Sequence, residues 1–163
     1  MATVTATMRA TPDEVFAVLA DGWAYAGWVV GASHVRAVEA GWPAVGSRLH
    51  HASGAWPLVM EDETRVEVVD PGRRLVLVAR GSGLGEARVD LALVPERSDD
   101  SDSSDDSGGP AGTSTRVTMA EEPVSGPGRW LHNPLADAVL LRRNTEALAR
   151  LRCLVERPTS PTR

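Results

Sequence analysis

Lysine, isoleucine and glutamine are absent from the 163 residues, and all 17 positions counted as Lys or Arg are arginine. This fits a coding bias towards GC-rich codons, so single arginines carry little functional signal. The missing lysine still removes whole chemistries: there is no residue for a Schiff base, for attachment of pyridoxal phosphate, or for the lysine of a P-loop. Cysteine is reduced to Cys153, which excludes an internal disulfide and is expected to be a small buried or half-buried side chain rather than a nucleophile. Basic residues do not cluster, and a net charge of −5 with a pI near 5.3 argues against a nucleic-acid surface. No apolar run reaches the length of about 18 residues needed to span a membrane, and the opening MATVTATMRA lacks the regions of a signal peptide. A cytoplasmic location without a membrane span is the expectation.

Two motifs that are nearly present are also informative. GSGLGE, from Gly81, fails GxGxxG because Glu86 occupies the place of the third glycine; it reads as a hairpin turn. The segment 98–114, SDDSDSSDDSGGPAGTS, holds five Asp and almost nothing apolar, but it lacks the ligand spacing of a calcium loop. Too little surface is available there to offset ordering entropy, so 98–112 is expected to be a disordered hairpin insertion, followed much later by a flexible tail over 158–163. Its charge would suit a basic protein partner. No metal or organic cofactor is expected.

What the chain does contain is best organised from its far end. A helix is predicted from about Pro134 to Glu156: Asn133 suits the N-cap, Pro134 the first position, Asp137 the positive first turn, and Pro158 a stop. Ala138, Leu141, Thr145, Leu148, Leu151 and Val155 recur on one face, widened by Leu140, Ala147 and Leu154. At 1.5 Å per residue this rod is roughly 34 Å long, and only a multi-stranded sheet is wide enough to cover it.

The sheet is legible upstream. Residues 2–9 read as a strand, and Thr11, Pro12 and Glu14 form a capping box opening a short helix. A second short helix or turn runs from Gly22 to Trp28, where Trp23, Tyr25 and Trp28 either plug the core or line a ligand mouth. Period-two strands follow over 33–39, from near Gly46, over 57–70, 73–80, 86–95 and 115–122, separated by Gly/Pro turns that make antiparallel hairpins. On the strand over 57–70, Leu58, Met60, Asp62, Thr64, Val66 and Val68 are expected to face the core. The fold class is α+β: about seven antiparallel strands, curved and wrapped on a long C-terminal helix, with two short helices after strand 1.

This order resembles the START-like superfamily that includes the polyketide cyclase/dehydrase proteins, also called SRPBCC, with its helix-grip fold. The resemblance is carried by TPDEVFAVLAD from Thr11, YAGWVVG from Tyr25, GWPAVGSRLHH from Gly41 and RNTEALARLRCLVE from Arg143, and it covers residues 1–157 apart from the acidic insertion. It implies a hydrophobic cavity between sheet and helix; no short motif of the superfamily specifies one reaction.

Small inward residues, Thr64, Ala79 and Ala87, would leave such a cavity unfilled. Its expected wall is Trp28, Leu49, Met60, Thr64, Ala79, Val89, Leu91, Met119, Leu141, Asn144 and Leu148. Four polar groups interrupt apolar faces: His51, Asp62, Glu121 and Asn144. Each needs a partner if buried. In the plainer reading Glu121 or Asp62 meets water or an arginine such as Arg143. In the sharper one Glu121, Asp62 and His51 form an acid/base set acting on a carbonyl substrate. His50 and His51 point to opposite faces of one strand and make a poor metal pair. The expected partner is a small hydrophobic molecule, lipid, polyketide or isoprenoid-like, with a cyclase/dehydratase and a protein-interaction module as alternatives; a homodimer is left open.

Overall fold

A computed structural model of the chain describes residues 2–54, 60–81, 85–97, 113–126 and 134–157. Strand β1 (Ala2–Met8) is followed by α1 (Pro12–Ala20), a single 3-10 turn (Gly22–Ala24) and α2 (Tyr25–Trp28). Six strands come next: β2 (Ala32–Val38), β3 (Arg48–Ser53), β4 (Met60–Asp70), β5 (Arg74–Gly81), β6 (Gly85–Arg97) and β7 (Thr113–Pro123). Helix α3 (Pro134–Val155) closes the order. The insertion 98–112, the tail 158–163, Asn133, and Leu58 lie outside the described residues.

The seven strands form one antiparallel sheet in the order β1-β7-β6-β5-β4-β3-β2. Consecutive strands from β2 to β7 pair as neighbours, and between β4 and β5 a tight Pro-Gly turn leaves the chain no other course. There Pro71 and Gly72 reverse the chain, Gly72 adopts a φ of 72°, and Arg73 N–H donates to the Asp70 carbonyl at 3.0 Å. A β-carbon on Gly72 would also come within 2.5 Å of Asp13 Oδ1 in α1, so glycine is required there twice over.

Helix α1 starts as expected. Thr11 Oγ1 accepts from Glu14 N–H at 3.2 Å, and the Glu14 carboxylate accepts from Thr11 N–H at 2.7 Å, satisfying two donors that the first turn leaves without partners. Val15, Phe16 and Leu19 then face the core.

One face of the sheet packs beneath the helices, and α3 lies against β1, α2 and α1. Register fixes which residues meet. Across β4, β5, β6, β7 and β1 run Val66, Leu77, Val89, Glu121 and Ala2; across β5, β6, β7 and β1 run Leu75, Leu91, Met119 and Val4. Leu93 and Val117 form the next row. The apolar members of these rows, with Met8, Leu49, Leu148 and Leu151, make the apolar core. On the outer face, Val76 and Val78 are buried beside the Arg74–Asp90 and Arg88–Glu67 ion pairs, which cover them with aliphatic stems.

Three expectations are corrected. A register irregularity between Val66 and Val68 brings Val69, opposite Leu75, into contact with the core, so the period-two face does not continue through Val68; a bulge shifts side-chain alternation by one residue. In α3 the buried stripe is Asn144, Ala147, Leu148 and Leu151. At about 100° per residue this stripe leaves Ala138 and Thr145 outside it and Leu141 on its margin, 40% exposed. Cys153, two positions beyond Leu151, falls on the opposite side and is exposed.

Candidate functional site

The rows nearest Leu75 and Leu93 are filled, whereas the other end of the same face is hollow. Thr64, Ala79, Ala87 and Pro123 form the row beyond Val66, Leu77, Val89 and Glu121, and two alanines cannot reach the helices above them. The resulting cavity holds about 510 Å³, within the usual size of small-molecule sites. Its sheet wall includes Met60, Leu77, Ala79, Ala87, Val89 and Met119; Tyr25, Trp28, Val29 and Val30 form a second wall; Leu140, Arg143, Asn144 and Ala147 of α3 form a third.

The aromatic segment divides its roles. Tyr25 and Trp28 are buried and meet edge to face, with ring centroids 5.5 Å apart, while Trp23 is 63% exposed. The short helix α2 places Tyr25 and Trp28 towards the cavity, while the 3-10 turn before it leaves Trp23 pointing to solvent.

A polar chain crosses the sheet wall. Tyr25 Oη lies 2.9 Å from Thr64 Oγ1, and His51 Nε2 lies 3.1 Å from the same oxygen. The Tyr25 and His51 rings are 5.1 Å apart. Burial pushes the Tyr25 hydroxyl up to about 12, because the phenolate would lose its hydration. Burial likewise lowers His51 from its ordinary value of 6.5, and the nearby Asp62 charge opposes this only in part. At neutral pH the pair is therefore a phenol and an uncharged imidazole. Asp62, directly across from His51, accepts from Ser53 Oγ.

Glu121 is 4% exposed and both its oxygens accept from Arg143 Nη2. The arginine side chain is 42% exposed, so the pair joins the cavity wall to the surface. The plainer expectation for Glu121, pairing with Arg143, is what the geometry shows.

Asn144 is fully buried, and neither its Oδ1 nor its Nδ2 finds a hydrogen-bond partner among the described residues. His51 Nδ1 also lacks a well-formed bond, although the Ala52 backbone lies close enough to favour its charged form slightly. Among the described residues the remaining orphan, the Trp42 indole nitrogen, belongs to a residue outside the cavity lining.

Of the wall residues expected from sequence, Trp28, Met60, Ala79, Val89, Met119 and Asn144 line the cavity, as do His51, Asp62 and Glu121. Thr64 sits behind the wall and ties Tyr25 to His51. Leu49, Leu91 and Leu148 lie in the packed core instead, since they belong to the filled part of the interior; Leu141 is turned towards solvent. Arg143 and Leu140 line the cavity without having been expected there, and Tyr25, expected only as one of two alternatives to line a ligand mouth, lines it as well. Tyr25 had one available signal, its being the chain's single tyrosine, in a segment dense with aromatics. His50, unlike His51, is half-buried on the other face, 3.7 Å from Glu63.

A sheet of seven antiparallel strands packed on a long C-terminal helix, with short helices after the first strand and an apolar cavity between the layers, defines a helix-grip protein. Residues 1–156 match the family described as polyketide cyclase/dehydrase and lipid transport, and the chain belongs to that family, within the SRPBCC superfamily. Comparison with curated proteins finds no match. Among solved structures, a START superfamily protein from Mycobacterium smegmatis is similar with a TM-score of 0.63 at 16% identity, over 94% of this chain and 95% of that one. Protein CV1439 from Chromobacterium violaceum gives 0.61 at 16% identity over 97% and 100%. DynU16, a protein of the dynemicin biosynthetic locus, gives 0.58 at 22% identity over 95% of this chain but 46% of its own length. At these identities the likeness is one of fold. No helix among the described residues is long and apolar enough to cross a membrane.

Proposed function

We propose that the protein binds one small hydrophobic molecule, of lipid, polyketide or isoprenoid type, between the sheet and α3. The observation that carries this reading is the cavity of about 510 Å³ with a largely apolar wall, Trp28, Leu77, Ala79, Val89 and Met119 among it, in a family whose description includes lipid transport. Apolar surface withdrawn from water contributes roughly 25 cal/mol per Å², so a ligand of matching shape needs few polar contacts. Native mass spectrometry after incubation with a lipophilic extract of the host is expected to show a stoichiometric adduct, released as a small organic molecule on denaturation. A full panel of such extracts and lipophilic probes that leaves the protein empty would overturn the reading.

A second reading rests on the Tyr25–Thr64–His51 chain. In a cyclase or dehydratase, the uncharged imidazole would accept a proton from the carbon beside a substrate carbonyl while the Tyr25 hydroxyl donates a hydrogen bond to the carbonyl oxygen. Glu121 and Asp62, engaged with Arg143 and Ser53, would then position and polarise rather than transfer the proton. His51→Leu should abolish turnover of a poly-β-ketone substrate and retain its binding; undiminished turnover removes this reading.

A further inference from the structure

Buried carboxamides in folded proteins have partners, because each unpaired donor or acceptor held away from water is destabilising. Among the described residues Asn144 is an exception on both of its atoms, and it stands in the wall of the cavity. Nothing in the helix requires it: Ala147, Leu148 and Leu151 continue the same stripe with apolar side chains, and a leucine would serve folding better. A carboxamide left unpaired in the wall of a ligand space is best explained by what enters that space, and a rotation of the side chain would bring its two closed-off amide atoms within reach of the entrant.

The charges around it restrict the entrant further. Among the described residues, four carboxylates line the cavity, Asp62, Glu86, Glu121 and Asp137, against two guanidiniums, Arg80 and Arg143. The Glu121–Arg143 pair consumes one of each sign. A ligand with an ionised carboxylate would approach a wall of net negative charge, which disfavours its entry. An aliphatic or aromatic hydrocarbon would leave the Asn144 oxygen and nitrogen unpaired.

Building on the hydrophobic-ligand reading, we infer that the occupant is uncharged and carries a hydrogen-bond acceptor beside a donor, as in a carboxamide or a hydroxy-carbonyl unit, which pairs reciprocally with Asn144. The carbonyl oxygen accepts from Nδ2 and the N–H or O–H donates to Oδ1, while the apolar body fills the space over Ala79 and Ala87. Free fatty acids are thereby disfavoured.

The test uses four ligands that share one ring system: 2-naphthamide, 2-naphthoate, 2-naphthylmethylamine and 2-ethylnaphthalene, titrated calorimetrically into the full chain and into Asn144→Leu. In the native protein the amide is expected to bind about tenfold or more tighter than the other three, since a site with unpaired polar groups rejects analogues that cannot pair with them. In Asn144→Leu that preference should collapse towards the hydrocarbon, and the variant should melt at a higher temperature than the native protein. Asn144→Ser, which keeps one polar atom, should give an intermediate preference and serves if the leucine variant does not fold. Equal binding of all four, or preference for the carboxylate or the amine, overturns the inference while leaving a hydrophobic site in place. Failure of every probe, the hydrocarbon included, overturns the proposed function and this inference with it.

Discussion

Tyr25 is the chain's single tyrosine, so any tyrosinate signal reports on it alone. Its hydroxyl is pushed up to about 12 by burial, whereas the unfolded chain ionises near 10. Absorbance titration of the native protein should show no tyrosinate until the pH passes well beyond 10, and the same titration in denaturant should show it near 10; coincident curves would mean that the ring is solvated. The sign for stability follows. Between 10 and 12 the native state holds a proton that the unfolded state has released, so stability falls as pH rises through that window.

His51 has the opposite position. Its folded value lies below 6.5, so between that value and 6.5 the unfolded state binds more protons, and stability rises with pH. Acidification from neutral towards pH 5 should therefore lower the melting temperature of the native protein more than that of His51→Leu. Equal losses would show that His51 is not held in its neutral form by burial. Neither group could be assigned this environment from sequence. The alternation on β3 placed His51 on the inner face, but Tyr25 sits 39 residues from Thr64, and only the register of β3 on β4, with the turn after α1, brings the three together.

The elements themselves were largely legible, because local chemistry specifies them. The capping box at Thr11, the Pro71–Gly72 reversal and the alternation along β6 and β7 each act within a few residues. The helix face of α3 was less so: apolar side chains spread over more than half its circumference, and periodicity alone could not distinguish a stripe centred on Leu141 and Leu148 from one centred on Ala147 and Leu151. Buried Asn144, read as an interruption, is in fact part of the centre. The consequence is testable. Leu151→Ala, at a fully buried position, should cost about 2–5 kcal/mol in denaturant unfolding, and Leu148→Asp should prevent folding by burying an unpaired charge. Leu141→Asp should cost less than about 1 kcal/mol, as expected of a surface site; losses of equal size at 141 and 148 would restore the original face.

At the scale of the whole molecule, the same sheet serves two purposes. Rows with Leu75, Leu91, Leu93 and Val117 pack fully against the helices and hold the fold together, while the row with Ala79 and Ala87 stops short and leaves space. A chain that packs one end of its interior and under-fills the other trades stability for an internal volume. The presence of a cavity could be anticipated from two inward alanines on adjacent strands. Its contents could not, since the polar atoms that converge on it come from α2, β3, β7 and α3, and sequence separation says nothing about which of them face one another.

The most direct measurement is a fluorescence titration with the neutral hydrophobic dye N-phenylnaphthylamine, comparing the native protein with Ala87→Trp. Ala87 lines the cavity opposite Ala79, so an indole there fills the space without disturbing the packed rows. The native protein should bind the dye saturably with one site per chain, and Ala87→Trp should weaken binding by about tenfold or more while keeping the native circular dichroism. Ala79→Phe is the equivalent change from the neighbouring strand. Absence of saturable binding to the native protein, or unchanged affinity in folded variants whose cavity has been filled, would contradict a ligand site between the sheet and α3.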